Sequence, residues 1–345
     1  MRGVGKIAAL KERILNDIRS GILKKGDKLL SRHQFMKRYE CSRGSIDQAI
    51  KELLEDGFLY SRQGAGTYVA DDVETPQSIN TVYIVGNFDR LQAGAFFLDP
   101  GSTASCIQRH ADCMLCGMAD LNMNLNKMAR RGNAVIWDRP DYQHLMAMDF
   151  LDKAGVRQLL LHRVFGNYDY ITTDSRYGIE GGLEWLTGHA GNKIAFLSTR
   201  NSTRYPYIAE RQLQFFELAI RHSIMVPPEW LFMEWEHEAE TAVHMEEAAE
   251  KIFGGAEPCR GIYLDYAIWA GPFLQAASRR GLENGRDFHL LIFDSVLSGL
   301  RQPGIAMIEQ NLDAQNDKII EWLKSKGDSP MRSKIKPQLL TYRKS

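Results

Sequence analysis

Residues 42–54, SRGSIDQAIKELL, followed by Gly57-Phe58-Leu59, decide the first part of the fold. Ser42 is a natural helix N-cap, and Ile46, Ala49, Ile50, Leu53 and Leu54 recur at helical spacing behind it. Gly57 stands where such a helix ends. Upstream, Ile7, Leu10, Ile14, Leu15 and Ile18 predict a first helix, with Gly21 just past it and a turn over Lys24-Lys25-Gly26-Asp27. A short second helix is predicted between them. Ser31 is its cap, and Phe35, Met36 and Tyr39 form its apolar face. Downstream, Phe58-Leu59-Tyr60, the turn Gln63-Gly64-Ala65-Gly66 and Thr67-Tyr68-Val69 predict a small β-hairpin. Three helices and a hairpin in about 70 residues make the winged helix-turn-helix plan, in which the third helix enters the major groove of DNA.

Charge is distributed to match. The chain has 345 residues and a net charge of zero. Residues 1–70 hold 14 basic and 8 acidic side chains, whereas the remainder holds 29 and 35. A basic head on an acidic body suits a polyanion-binding module joined to something with another task. The N-terminal turn of the third helix offers Ser42, Arg43 and Ser45, whose hydroxyls and guanidinium suit phosphate oxygens and the O6/N7 edge of guanine. Arg32, His33 and Arg62 are further candidate DNA contacts. Gly64, Gly66 and Thr67 let the wing approach the sugar-phosphate backbone.

This head resembles the GntR family of regulators. The matching residues are Gly21–Leu29 (GILKKGDKL), Cys41–Ser45, Ala49 with Leu53, Gly57-Phe58-Leu59 and Gln63–Val69. His33 stands where the family pattern has an Arg, Asp47 where a further Arg is usual, and Ala65 where Lys or Arg is common. A carboxylate at Asp47 facing phosphate would be repulsive, although it could accept a hydrogen bond from a cytosine amino group.

Residues 71–80 are polar, contain Pro76 and read as a linker between a head at 1–70 and a body at 81–345. In the body, strands are predicted at 81–85, 134–137, 158–162, 170–173, 193–198, 260–264 and 289–293. Helices are predicted at 176–188, 207–222, 240–253 and 267–280. The alternation implies a two-lobed α/β domain with parallel sheets, whose ligands bind at the carboxyl ends of strands. Polar residues there are Asp138-Arg139, His162-Arg163, Asp174, Asp265 and Asp294, with Arg211 early in a helix. Carboxylates accept hydroxyl hydrogen bonds, Arg donates a fork, and an aromatic such as Trp269 packs on a sugar face.

The body resembles the effector domain of LacI/GalR regulators, which is built like a periplasmic sugar-binding protein. The match rests on Ile171–Gly178 (ITTDSRYG), Leu186–Phe196, Glu210-Arg211 with Phe215, Ile262–Gly271, Leu291–Asp294 and Ala306–Gln310. With the head it gives an architecture of the arabinose-repressor type. The resemblance implies that Asp174, Arg211, Asp265, Trp269 and Asp294 contact a small-molecule effector, a sugar or sugar derivative. It further implies a repressor that binds an operator, with no cofactor. Helix-turn-helix docking on two half-sites leads us to expect a homodimer. No stretch approaches the ~18 uncharged apolar residues of a membrane helix and no secretion-signal pattern is seen, so the cytoplasm is the expected location, with no membrane partner.

Other classes are weaker. No P-loop, H-E-x-x-H or G-x-S-x-G is present, and the Schiff-base lysine and phosphate cradle of an aminotransferase-like body are not identifiable. A protein-interaction module or enzyme-like domain in place of the sensor is the alternative. The five cysteines, including Cys113-x-x-Cys116, read as reduced packed thiols, with a redox or metal role as the other possibility.

Overall fold

A computed structural model describes the chain except residues 1–3, 20–21, 25, 63, 71–78, 87, 89–99, 201–205, 236–239, 295–299, 326, 328 and 343–345. Gly21, Lys25, Gln63 and most of the 71–80 link therefore lie outside the described residues. The head holds α1 (Val4–Arg19), α2 (Arg32–Tyr39) and α3 (Arg43–Glu55), then β1 (Leu59–Arg62) and β2 (Gly66–Val69). Ser31 caps α2 in a reciprocal arrangement with Gln34, and Ser42 caps α3 by accepting from the Ser45 N–H. Antiparallel pairing sets Tyr60 opposite Tyr68 and Ser61 opposite Thr67. Leu10, Ile14, Phe35, Ile46, Ala49, Leu53 and Val69 share one core. Met36, expected to face inward, is exposed. The i, i+4 pair Phe35 and Tyr39 takes the inner stripe, and Met36 lies a further 100° or so around the helix.

The body contains two six-stranded sheets. The first comprises β3 (Thr81–Gly86), β4 (Asp112–Gly117), β5 (Asn133–Asp138), β6 (Arg157–Leu161), β7 (Asp169–Thr173) and β13 (Arg332–Ile335), in the order β13-β7-β6-β5-β3-β4. All its neighbours are parallel. The second comprises β8 (Ile194–Thr199), β9 (Leu231–Trp235), β10 (Gly261–Leu264), β11 (His289–Phe293), β12 (Ile305–Glu309) and β14 (Gln338–Thr341), in the order β14-β12-β11-β10-β8-β9. Only β14 runs antiparallel. The inner strands are apolar on both faces because helices cover both. Those helices are α4 (Pro100–Ile107), α5 (Met118–Met128), α6 (Leu145–Lys153), α7 (Ser175–Ala190), α8 (Pro206–Arg221), α9 (Thr241–Phe253), α10 (Ala270–Arg279) and α11 (Leu312–Lys324).

All seven expected body strands form. The strands β4, β9, β12, β13 and β14 were not anticipated. Four of them, β4, β9, β13 and β14, are sheet edges; β13 carries Arg332 and Lys334, whose charge discourages further pairing and also hides the strand from an apolar pattern. Cys113 and Cys116 both fall on β4. Three residues apart on a strand, they point to opposite faces, and they pack into different cores. This geometry removes the reading of C-x-x-C as a redox or metal pair. Burial raises both thiols, Cys113 to about 11.

The chain crosses between lobes three times, at 173–175, 309–312 and 335–338. Thr173 donates from Oγ1 to the Gln310 side-chain oxygen at 2.9 Å, and the Asp174 N–H donates to the Ile335 carbonyl at 2.8 Å, tying the three crossings together. Arg131 of the first lobe donates to the Gly57 carbonyl in the head and lies 5.2 Å from the Phe58 ring centre. No described helix is long and apolar enough to cross a membrane.

The crossings are packed tightly at Gly178. A Cβ there would sit 2.5 Å from Ile308 Cγ2 and 2.7 Å from Pro337 Cγ. Gly178→Ala is expected to cost about 1–3 kcal/mol by overpacking two stiff side chains. Chemical denaturation of the full chain checks this; an unchanged midpoint would show that the crossings absorb a methyl freely.

Candidate DNA interface and interlobe cleft

On the head, Arg43 opens α3 with its side chain 76% exposed, beside the exposed Ser42. Asp47, one turn on, is not a lone repulsive charge. Its Oδ1 accepts from Arg32 Nε at 2.6 Å and its Oδ2 lies 3.8 Å from Arg43 Nε. The carboxylate thus holds two candidate DNA-contacting guanidiniums on one surface, at the expense of part of their positive field. His33 is exposed one residue after Arg32. On the wing, Arg62 lies 5.3 and 5.4 Å from the ring centres of Tyr60 and Tyr68, which fixes its direction. Gly64 and Gly66 adopt φ of +74° and +117°, a turn that side chains resist. Thr67 stands opposite Ser61, their hydroxyls 3.5 Å apart.

In the body, the carboxyl ends of the strands of both lobes carry a polar cluster. From the second lobe come Ser198 and Thr199 at the end of β8, Asp265 after β10 and Asp294 after β11. Arg211 of α8 lies 3.9 Å from Asp265 Oδ1 and donates to Asp294 Oδ2 at 3.4 Å. Its guanidinium carbon sits 3.5 Å from the Phe293 ring centre. Asp265 also accepts from Ser198 Oγ at 2.8 Å and Tyr263 OH at 3.2 Å. Gln212 in turn donates to Ser198 Oγ at 3.0 Å. Asp294 accepts from Gln310 at 2.7 Å, so the cluster runs on to Thr173 at the crossings.

From the first lobe come Asp138 at the end of β5, then Arg139, His162 and Arg163. Arg139 grips Asp138 through Nε and NH2 at 3.2 and 2.7 Å. Tyr207 of α8 lies between the lobes, with Arg163 at 4.7 Å and Arg211 at 4.8 Å from its ring centre. Three non-glycine residues of this cluster, Arg139, His162 and Asp294, have left-handed φ of +52°, +61° and +73°. Such backbone costs about 1–3 kcal/mol each and persists where surrounding structure, often a functional site, requires it.

Burial dominates the electrostatics. It pushes Asp265 up to about 6 and His162 down to about 3, leaving the imidazole uncharged at neutral pH. Burial also works against Arg211 and Asp138. Asp294 and Asp265 outweigh it to raise Arg211, and the guanidiniums of Arg139 and Arg163 work against it to hold Asp138 below the carboxylate range.

Of the residues expected to meet an effector, Arg211, Asp265 and Asp294 converge. Asp174 instead accepts from the Tyr177 N–H as the N-cap of α7, so its carboxylate belongs to a crossing. Trp269 is fully enclosed in the second lobe's core against Trp235 and Tyr266, because the 3-10 turn before α10 rotates the indole inward; it offers no open stacking face. The aromatic group in the cleft is Tyr207. Sequence reasoning missed it, along with Ser198 and Gln212, although Tyr207 stands one helical turn before Arg211.

Comparison with known proteins agrees with both folds. Residues 6–69 match the family model for bacterial regulatory proteins of the gntR family, so the head is a GntR-type winged helix. Over 70 residues the chain is 37% identical to an arabinose metabolism transcriptional repressor of Halalkalibacterium halodurans, covering 20% of this chain and 19% of that protein. A repressor of the same description from Geobacillus stearothermophilus is 38% identical over 65 residues, 19% of this chain and 18% of its own. The chain thus matches under a fifth of these relatives' length. The body has the two-lobed fold of LacI-family regulators. A lactose complex of such a regulator from Arthrobacter superposes with a TM-score of 0.59 at 16% identity, over 76% of this chain and 97% of that one. A cellobiose complex of the regulator CelR gives 0.58 at 14% identity, over 86% and 89%.

Asp265 makes a pH prediction. Its folded value near 6 lies above an unfolded value near 4. The stabilisation it confers is therefore complete below about pH 4 and is lost as pH rises through 6. Relative to Asp265→Asn, the wild-type chain should lose stability across that window, on the order of 3 kcal/mol. Unfolding free energies of the two chains from pH 4 to 8 measure the difference; parallel curves would contradict the assigned shift.

Proposed function

We propose that the chain is a sequence-specific DNA-binding repressor whose operator affinity is set by a sugar or sugar derivative held between the two lobes. In this reading residues 1–70 are the DNA-binding head, 71–80 the link and 81–345 the sensor. The observation that carries it is the buried cluster of Arg211, Asp265 and Asp294 at the carboxyl ends of parallel strands, facing Arg163 across Tyr207. The likeness to sugar-complexed regulators and the short match to arabinose repressors support the same direction.

The mechanism follows from the crossings. Three chain segments form a hinge about which the lobes rotate. An effector contacting both lobes favours the closed arrangement by its differential affinity and by no more than that. Winged-helix readers bind two half-sites as dimers, so this protein acts as a homodimer in the cytoplasm, where its operator lies. Closure changes the spacing of the two heads. Neither catalysis nor a cofactor has a part in this cycle.

Three measurements test the reading. Arg43→Ala should remove discrimination at its contacted base pair, about 1–3 kcal/mol, while general DNA affinity falls less. Asp47→Asn should release Arg32 and Arg43 and steepen the dependence of log affinity on log salt by about one. Titration of an operator complex with aldoses and their derivatives should find a compound that shifts affinity; if the whole panel has no effect, the sensor assignment fails.

A further inference from the structure

The cleft's guanidiniums are not equally satisfied. Among the described residues, each carboxylate within 4 Å of a cleft guanidinium faces Arg139 or Arg211, and none faces Arg163. Arg163 is nonetheless buried, with 9% of its surface exposed. Its NH1 donates to the His162 carbonyl at 2.7 Å, while its Nε is enclosed with no acceptor. Arg163 and Arg211 flank the same Tyr207 ring at nearly equal distance. Two carboxylates raise Arg211, whereas burial lowers Arg163 to about 10. Among the described residues Arg163 therefore has no carboxylate in contact: it feels Asp138 only at a distance, and Arg139 already pairs with that carboxylate. A buried cation left so poorly compensated is costly, and here the cost falls on the residue that reaches from one lobe to the other.

We infer that the small molecule sensed in this cleft carries an oxyanion, a carboxylate or a phosphate, on a hydroxylated frame, and that the free Nε edge of Arg163 binds it. A guanidinium edge presents parallel N–H donors whose spacing matches two oxygens of either group. The frame's hydroxyls then meet Asp294, Asp265 and Arg211 on the opposite lobe. His162, uncharged, adds no competing cation, and its unpartnered Nδ1 lies within the same cluster. An anion at Arg163 supplies the missing counter-charge only when the lobes are together. The inference rests on the sensor reading above and narrows its ligand class to aldonates, uronates or sugar phosphates.

The test uses the full chain and paired probes: galactose against galacturonate, glucose against gluconate, and glucose against glucose 6-phosphate. Binding is followed by calorimetry and by thermal shift. At least one acid or phosphate should bind tenfold or more tightly than its neutral parent, and which arm responds tells carboxylate from phosphate. Arg163→Gln should erase that advantage. Without ligand it should melt no lower than the wild type, since an unpaired cation is removed; a residue with a purely structural ion pair would melt lower. A neutral sugar binding as tightly as its acid, or an anion preference that survives Arg163→Gln, overturns the inference and leaves sugar sensing intact. Absence of binding by every probe overturns both.

Discussion

A guanidinium enclosed between two lobes has to find a counter-charge inside the protein or wait for one. The interlobe cleft is organised around that constraint. Arg139 and Arg211 are each answered within their own lobe, by Asp138 and by Asp294 with Asp265. Arg163 reaches across to Tyr207 and is answered, among the described residues, by that π-face and the His162 carbonyl, with no carboxylate in contact. Left-handed backbone occurs at three of the strand ends that carry these groups, at Arg139, His162 and Asp294. Among the described residues the cleft's charges are thus unevenly paired. That imbalance gives a bound molecule energetic leverage over their separation.

The same logic recurs on the head with the opposite sign. Asp47 spends part of the positive field of Arg32 and Arg43 to hold them in place. An interface of this kind trades non-specific attraction to phosphate for orientation of its donors. It separates the two properties that a basic helix ordinarily delivers together, affinity for any DNA and preference for one sequence.

Much of this was legible in the sequence, for physical reasons that also explain the failures. Ser31 and Ser42 announce helix starts because side-chain caps are local. The inner strands announce themselves because burial on both faces demands continuous apolar runs. The edge strand β13, with Arg332 and Lys334, does not. Arg211, Asp265 and Asp294 were readable because strand ends in parallel sheets fix where polar groups converge. Asp174 and Trp269 occupy similar sequence positions but diverge, since a strand-end carboxylate serves equally as a cap and a single turn of 3-10 helix decides whether an indole faces cleft or core. Tyr207 and the isolation of Arg163 depend on two lobes meeting, which no local pattern encodes.

The triple crossing also orders the birth of the molecule. The second lobe is continuous from α7 to β12 and lacks only the edge strand β14. The first lobe begins earlier but needs α11 and β13, from residues 312 to 335, to cover one face and edge of its sheet. During synthesis the lobe nearer the head is thus begun first and finished last, its apolar face open while more than a hundred residues intervene. The head draws its core from residues 10–69 alone and can reach its native form while residues 312–335 are still to be made. The two modules therefore mature in a fixed order, the head before the lobe that follows it, and the first lobe's sheet is completed only by α11 and β13.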